Sequence, residues 1–127
     1  MTANDFYAKE AQARWPKEYA ESNSNLNSIS KSDQQKLFEA GTQNIKNMAD
    51  AFIAKQSAAS NEVQELIDIH YNWVCKFWTP TKDAYIGLGK MYVEDSRFSI
   101  NFDKYAPGCA EFMAQAMHIY AQENLNN

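Results

Sequence analysis

Two long stretches of this chain place apolar residues at intervals of three and four, and that spacing constrains the fold more than any other feature. Leu37, Gly41, Ile45, Met48 and Phe52 form one row; Val63, Ile67, His70, Val74 and Phe77 form a second. Residues three and four apart share a helix face, so each row is a stripe made to be buried against another element. No segment alternates apolar and polar residues long enough to predict a strand, and only four glycines and three prolines interrupt 127 residues. The expected class is all-α, in one domain with one core.

Helix boundaries follow from capping residues. Ser30 and Asp33 form an S-x-x-D start for a helix running to about Gln56, and Ser60 is the N-cap of the next, which Thr79-Pro80 ends. Gly41 costs its helix about 1 kcal/mol against alanine, which a close helix crossing would explain. Further helices are expected from about Thr81 to Val93, from Phe98 to Tyr105, and from Cys109 to about Glu123, with Glu94-Asp95 as a break whose acids cap the next helix. Upstream, Asp5 caps a segment that Pro16 should end near Trp15. The Asn/Ser-rich run Glu21 to Ser28 reads as a loop. Residues 1–28 are thus expected to be an aromatic segment plus loop, and residues 29–127 the helical domain. Five to seven helices of unequal length suit an irregular, globin-like packing of crossed helices better than a regular bundle.

Composition narrows the function. Twelve basic and sixteen acidic side chains give a net charge of −4, and the basic residues are scattered. Phosphate backbones need concentrated positive charge, so direct contact with nucleic acid is not expected. Apolar runs last only a few residues, far short of a membrane span, and the first residues have no basic-then-apolar signal pattern. Cytoplasmic is the default location. Two cysteines, Cys75 and Cys109, make no disulfide framework. The outlier is aromatic content, with 17 rings from three Trp, seven Tyr and seven Phe. Rings fill cores, but they also line sites for bulky ligands.

Spacing argues against catalytic and metal chemistry. His70 and Cys75 are five apart, about 140° around a helix, and Cys109 and His118 fall on opposite faces, so neither pair chelates locally. His70 lies in an apolar stripe and reads as a hydrogen-bonded core histidine rather than a haem ligand. Gly87-Leu88-Gly89 falls inside a helical pattern and is no phosphate loop. Glu62, Glu65 and Asp68 read as a solvated face. No cofactor or metal is expected, and no enzyme activity.

Two segments carry a family resemblance. Tyr7, Glu10, Arg14 and Trp15 spell Y-x-x-E-x-x-x-R-W, and Gly87 to Phe98, GLGKMYVEDSRF, is followed by a glycine-containing turn and a last helix. In this the chain resembles the TipA-type antibiotic-recognition domain over nearly its whole length. The resemblance implies a globin-like domain without haem that holds bulky polycyclic or peptidic antibiotics in a groove. It also implies an N-terminal lid that orders on the ligand. Family members either follow a MerR-type DNA-binding half, for which 127 residues leave no room, or stand alone and sequester the drug. The cysteine through which some members capture thiopeptides has no counterpart in Phe77-Trp78-Thr79-Pro80-Thr81, so covalent capture is not expected.

The candidate ligand-binding residues are the lid rings Phe6, Tyr7 and Trp15 and the wall residues Trp73, Phe77, Trp78, Tyr85, Tyr92, Phe102 and Tyr105. His70, with Asn72 and Asn101, is a candidate polar anchor. Within this neighbourhood Trp73 and Phe98 are the rings most expected to serve the core, and Trp78 and Tyr85 the pocket. The expected partner is a bulky antibiotic-like molecule; a homodimer is compatible with the same surface. The alternative is a helical interaction or dimerisation module with no small-molecule ligand.

Overall fold

The computed structural model describes residues 16–127. Six helices follow one another: α1 Pro16–Asn27, α2 Lys31–Ile53, α3 Asn61–Val74, α4 Lys82–Glu94, α5 Ser96–Asp103 and α6 Cys109–Asn124. Among the described residues there is no strand, and no helix is long and apolar enough to cross a membrane. The unequal lengths and crossed packing agree with the all-α, globin-like expectation.

The starts of the helices are set by side-chain oxygens that accept otherwise unpaired backbone N–H groups. Ser30 accepts from Asp33 at 3.1 Å, Ser60 from Val63 at 3.2 Å, Thr81 from Ala84 at 3.2 Å and Asp95 from Arg97 at 3.0 Å. At α4 the C-terminal tail adds two acceptors: the Asn126 carbonyl takes the Lys82 N–H at 3.1 Å, and Asn127 Oδ1 takes the Asp83 N–H at 3.0 Å. At α6 the turn is made by Gly108 at φ 93°, a left-handed position that suits glycine. A Cβ there would also approach Phe52 Cζ to 3.1 Å.

The end of α2 is a Schellman turn. The Gln56 N–H reaches the Ala51 carbonyl, and the Lys55 N–H the Phe52 carbonyl, both at 3.0 Å. Lys55 occupies the left-handed position usually held by glycine, at φ 62°.

Helix α6 lies at the centre and packs against α2, α3, α4 and α5. Its Cys109, Met113, Ala116, Met117 and Ala121 are fully enclosed, together with Met48 of α2, Val63 and Ile67 of α3 and Tyr85 of α4. The α4–α6 crossing is close at Gly89, where a Cβ would lie 3.2 Å from Ala114 Cα and 3.4 Å from Met117 Sδ. The α2–α3 crossing is close at Gly41, beneath the Trp73 indole, as its place in the stripe required.

Several expectations are corrected. The Asn/Ser-rich run is helical: α1 continues through Asn27, and its polar residues suit a solvated helix as well as a loop. Pro16 opens α1 instead of only ending the segment before it, because a first-turn position needs no N–H donor. Helix α2 ends at Ile53 and not Gln56, since the Schellman turn closes it. Helix α3 ends at Val74, before Thr79-Pro80, because Cys75 to Phe77 fold back in turns that bond to Tyr71, Trp73 and Val74 carbonyls. Helix α5 begins two residues early, at Ser96, directly on its Asp95 cap.

An aromatic network around His70 as the candidate site

His70 projects from α3 into the interior, where it is 5% exposed. Its Nδ1 lies 2.6 Å from the Tyr85 hydroxyl and its Nε2 3.3 Å from the Tyr92 hydroxyl, both on α4. One ring nitrogen of a neutral imidazole donates and the other accepts, so two hydroxyls satisfy it completely. Burial lowers the His70 pKa to about 4, so the ring is neutral at physiological pH. The reading of His70 as a hydrogen-bonded core histidine holds.

From this imidazole, ring contacts run in two directions. On one side His70 meets Trp73 at 6.1 Å, and Trp73 meets Phe77 edge-on at 5.0 Å. On the other it meets Tyr92 at 6.0 Å, and Tyr92 packs on Phe102 at 5.0 Å and Phe98 at 6.1 Å. Beneath, Tyr85 contacts Tyr71 at 5.3 Å and Tyr120 at 6.0 Å. Centroid separations of 4.5–7 Å with tilted or edge-on planes are the favourable arrangement for aromatic pairs. The structure thus brings together His70, Trp73, Phe77, Tyr85, Tyr92 and Phe102, from three helices and the turn after α3.

The rest of the candidates fall elsewhere. Trp78 and Tyr105 are half-buried against the core, with Lys104 Nζ 5.1 Å over the Tyr105 ring. Asn72 and Asn101 are exposed; they bond Asp68 at 3.4 Å and the Arg97 carbonyl at 3.3 Å, so neither is an interior anchor. An asparagine within a helical stretch marks no direction on its own, and these two project to solvent. Phe6, Tyr7 and Trp15 lie outside the described residues. Tyr85 is fully enclosed and serves as backing behind the outer rings.

The hydroxyls are engaged internally. Tyr120 donates to Asp68 Oδ1 at 2.6 Å, so Asp68 is more than a solvated charge. Burial pushes Tyr85, Tyr92 and Tyr120 above the ordinary phenol range, as it does Tyr71, where the hydrogen-bonded Cys75 thiol adds to it. Burial and then Asp103 push the Cys109 thiol up to about 11, an unreactive state. Among the described residues no group of three or more His, Cys, Asp or Glu is arranged to hold a metal.

Gly89 permits the α4–α6 crossing, Tyr92 carries the network, Asp95 caps α5 and pairs with Arg97 through Nε at 2.9 Å, and Phe98 packs on Tyr92. Gly87 is different: a Cβ there would meet nothing within 4 Å.

Sequence reasoning passed over the Tyr120 to Asp68 bond and, at the edge of the site, a contact from α1. Asn25 of α1 donates its Nδ2–H to the Phe77 carbonyl at 2.6 Å. The partners are 52 residues apart, and no local pattern joins them.

Fold and site together define a small all-helical domain whose interior is organised by aromatic rings from α3, α4, α5 and α6. The chain belongs to the TipAS antibiotic-recognition domain family, which matches residues 7–120. It is similar to the HTH-type transcriptional regulator SkgA of Caulobacter vibrioides, at 28% identity over 93% of this chain and 46% of the relative. It is also similar to the HTH-type transcriptional activator mta of Bacillus subtilis, at 27% over 94% and 47%. The HTH-type transcriptional activator TipA of Streptomyces coelicolor is 26% identical over 89% of this chain and 46% of its own length. The chain spans about half the length of these curated relatives. Among solved structures it resembles TipAS of Streptomyces lividans in complex with nosiheptide, with a TM-score of 0.84 and 25% identity over 96% of this chain and 87% of that one.

Proposed function

We propose that this chain binds bulky polycyclic or peptidic antibiotics through an aromatic wall of Trp73, Phe77 and Tyr92, backed by the buried His70, Tyr85 and Phe102, with Trp78 and Tyr105 extending the binding surface. The carrying observation is the likeness, over 96% of the chain, to a domain solved with the thiopeptide antibiotic nosiheptide bound. The network supports the reading, because the Tyr85, Tyr92 and Tyr120 hydroxyls are engaged internally while Trp73, Phe77, Trp78 and Tyr92 are only partly buried. Such a wall favours a flat, apolar ligand held by few polar contacts. Binding is reversible and non-catalytic, and it takes place in the cytoplasm. The chain serves as the effector-recognition part of a MerR-type regulator or as a drug-sequestering protein. Phe6, Tyr7 and Trp15 complete the site as a lid that orders on the ligand, and that ordering lowers the net affinity.

The test is a tryptophan-fluorescence titration with nosiheptide and a panel of large polycyclic antibiotics, with proteolysis of residues 5–22 tracked in parallel. Saturable quenching with new protection of that segment is expected. A flat response across the panel sinks the reading. A second reading, a helical interaction or dimerisation module, draws on Phe38, Ile53, Ile69 and Ile100, which are 47–62% exposed. Light scattering that finds a ligand-free dimer would favour it.

A further inference from the structure

Helix α1 is polar and twelve residues long, a length at which an isolated helix is marginal in water. Its C-terminal end is joined to α2 locally, through Gln34 Nε2 donating to the Leu26 and Ile29 carbonyls at 2.9 and 3.2 Å. Those bonds fix where α1 stops, not where it points. Among the described residues, the hydrogen bond that carries α1 to the body of the fold is Asn25 Nδ2 to the Phe77 carbonyl, at 2.6 Å and half-buried.

Its acceptor sits in an informative place. Phe77 lies in the turn where α3 has ended, and its ring stacks edge-on against Trp73. Trp78, the next residue, is half-buried against the core, and its N–H returns to the Val74 carbonyl at 3.1 Å. The Asn25 side chain of α1 therefore reaches the main chain between two rings of the proposed ligand wall.

We infer that Asn25 is a positioning residue: its amide seats α1 on the Phe77–Trp78 turn and so couples the N-terminal helix to the ligand wall. This rests on the proposed function for its ligand-binding half only. An ionised aspartate at this position keeps the size and removes the donor, so Asn25→Asp breaks the seat without opening space. Asn27, exposed on the same helix, is the control.

Two measurements decide the matter. By amide hydrogen exchange without ligand, Asn25→Asp is expected to speed exchange across residues 17–27 at least about tenfold, from the lost hydrogen bond together with a carboxylate facing a carbonyl oxygen in the last turn of the helix. Exchange in α3, α4 and α6 and the Tm should stay as in the parent, and Asn27→Ala should change nothing. By fluorescence titration, nosiheptide affinity should fall about tenfold in Asn25→Asp and not in Asn27→Ala. Unchanged α1 exchange in Asn25→Asp, an α1 already unprotected in the parent, or an equal effect from Asn27→Ala overturns the seat. Faster exchange with undiminished nosiheptide affinity overturns the coupling. If nosiheptide binds neither parent nor variant, the proposed function and the coupling that rests on it fail together, while the exchange result still decides the seat.

Discussion

The Trp73 indole occupies the place where a side chain on Gly41 would begin: a Cβ built there lies 2.7 Å from Cζ2 and 3.0 Å from Cε2. The ring cannot swing away freely, because its Nε1–H donates to the Leu37 carbonyl at 2.8 Å. Gly41→Ala recovers about 1 kcal/mol of helix propensity but forces the crossing apart, at a cost of about 1–3 kcal/mol. Net destabilisation of about 1 kcal/mol is expected in urea unfolding. A more stable variant would show that the crossing has slack.

The other two helical glycines should separate in sign. Gly87 faces open space, so Gly87→Ala is expected to stabilise the fold by about 1 kcal/mol through helix propensity alone. Gly89→Ala drives a methyl group toward the α6 backbone at Ala114 and is expected to cost about 1 kcal/mol. Thermal unfolding of the pair checks this, and equal shifts would refute the assigned crossing.

Acid should weaken the protein in a defined window. The folded His70 pKa is about 4, below the ordinary 6.5, so between those values the unfolded chain binds more protons. Stability therefore falls as pH drops from about 6.5 to about 4, by about 3 kcal/mol in all, and this contribution is flat on either side. His70→Phe should flatten that slope in urea titrations across pH while losing the two hydroxyl bonds. A slope retained in the variant would assign it to other groups.

Lys55 offers a gain. A non-glycine residue held at φ 62° is strained, and glycine is not. Lys55→Gly is expected to stabilise the Schellman turn by about 0.5–1 kcal/mol, read as a higher urea midpoint with unchanged m-value.

The parts legible in the sequence were those governed by local rules. Apolar spacing located α2 and α3, and caps at Ser30 and Ser60 fixed their starts because a side-chain oxygen and an N–H three residues on form a short-range unit. Asp95 was legible as a cap, but the helix it starts was expected from Phe98 and not Ser96. Gly41 announced a crossing by its cost. What could not be read depended on partners distant in the chain. Tyr120 finds Asp68, and Asn25 finds the Phe77 carbonyl, each across 52 residues. The helicity of Glu21 to Asn27 was hidden for another reason: asparagine and serine favour turns by competing for backbone hydrogen bonds, and here the helix prevailed. For the candidate site, nearness in the chain and the family resemblance suggest these rings as walls, and His70 reads as a core histidine, but nothing local places Tyr85 and Tyr92 against it. Nor does anything local say that Tyr85 stands fully enclosed behind the others.

The bond from Asn25 ends on a main-chain oxygen, and every amino acid supplies one. Residue 77 is thus free to change its ring, its size or its polarity while the seat of α1 keeps its acceptor. Under the proposed function, a side-chain change at residue 77 alters the ring offered to the ligand and leaves the acceptor of the Asn25 bond in place.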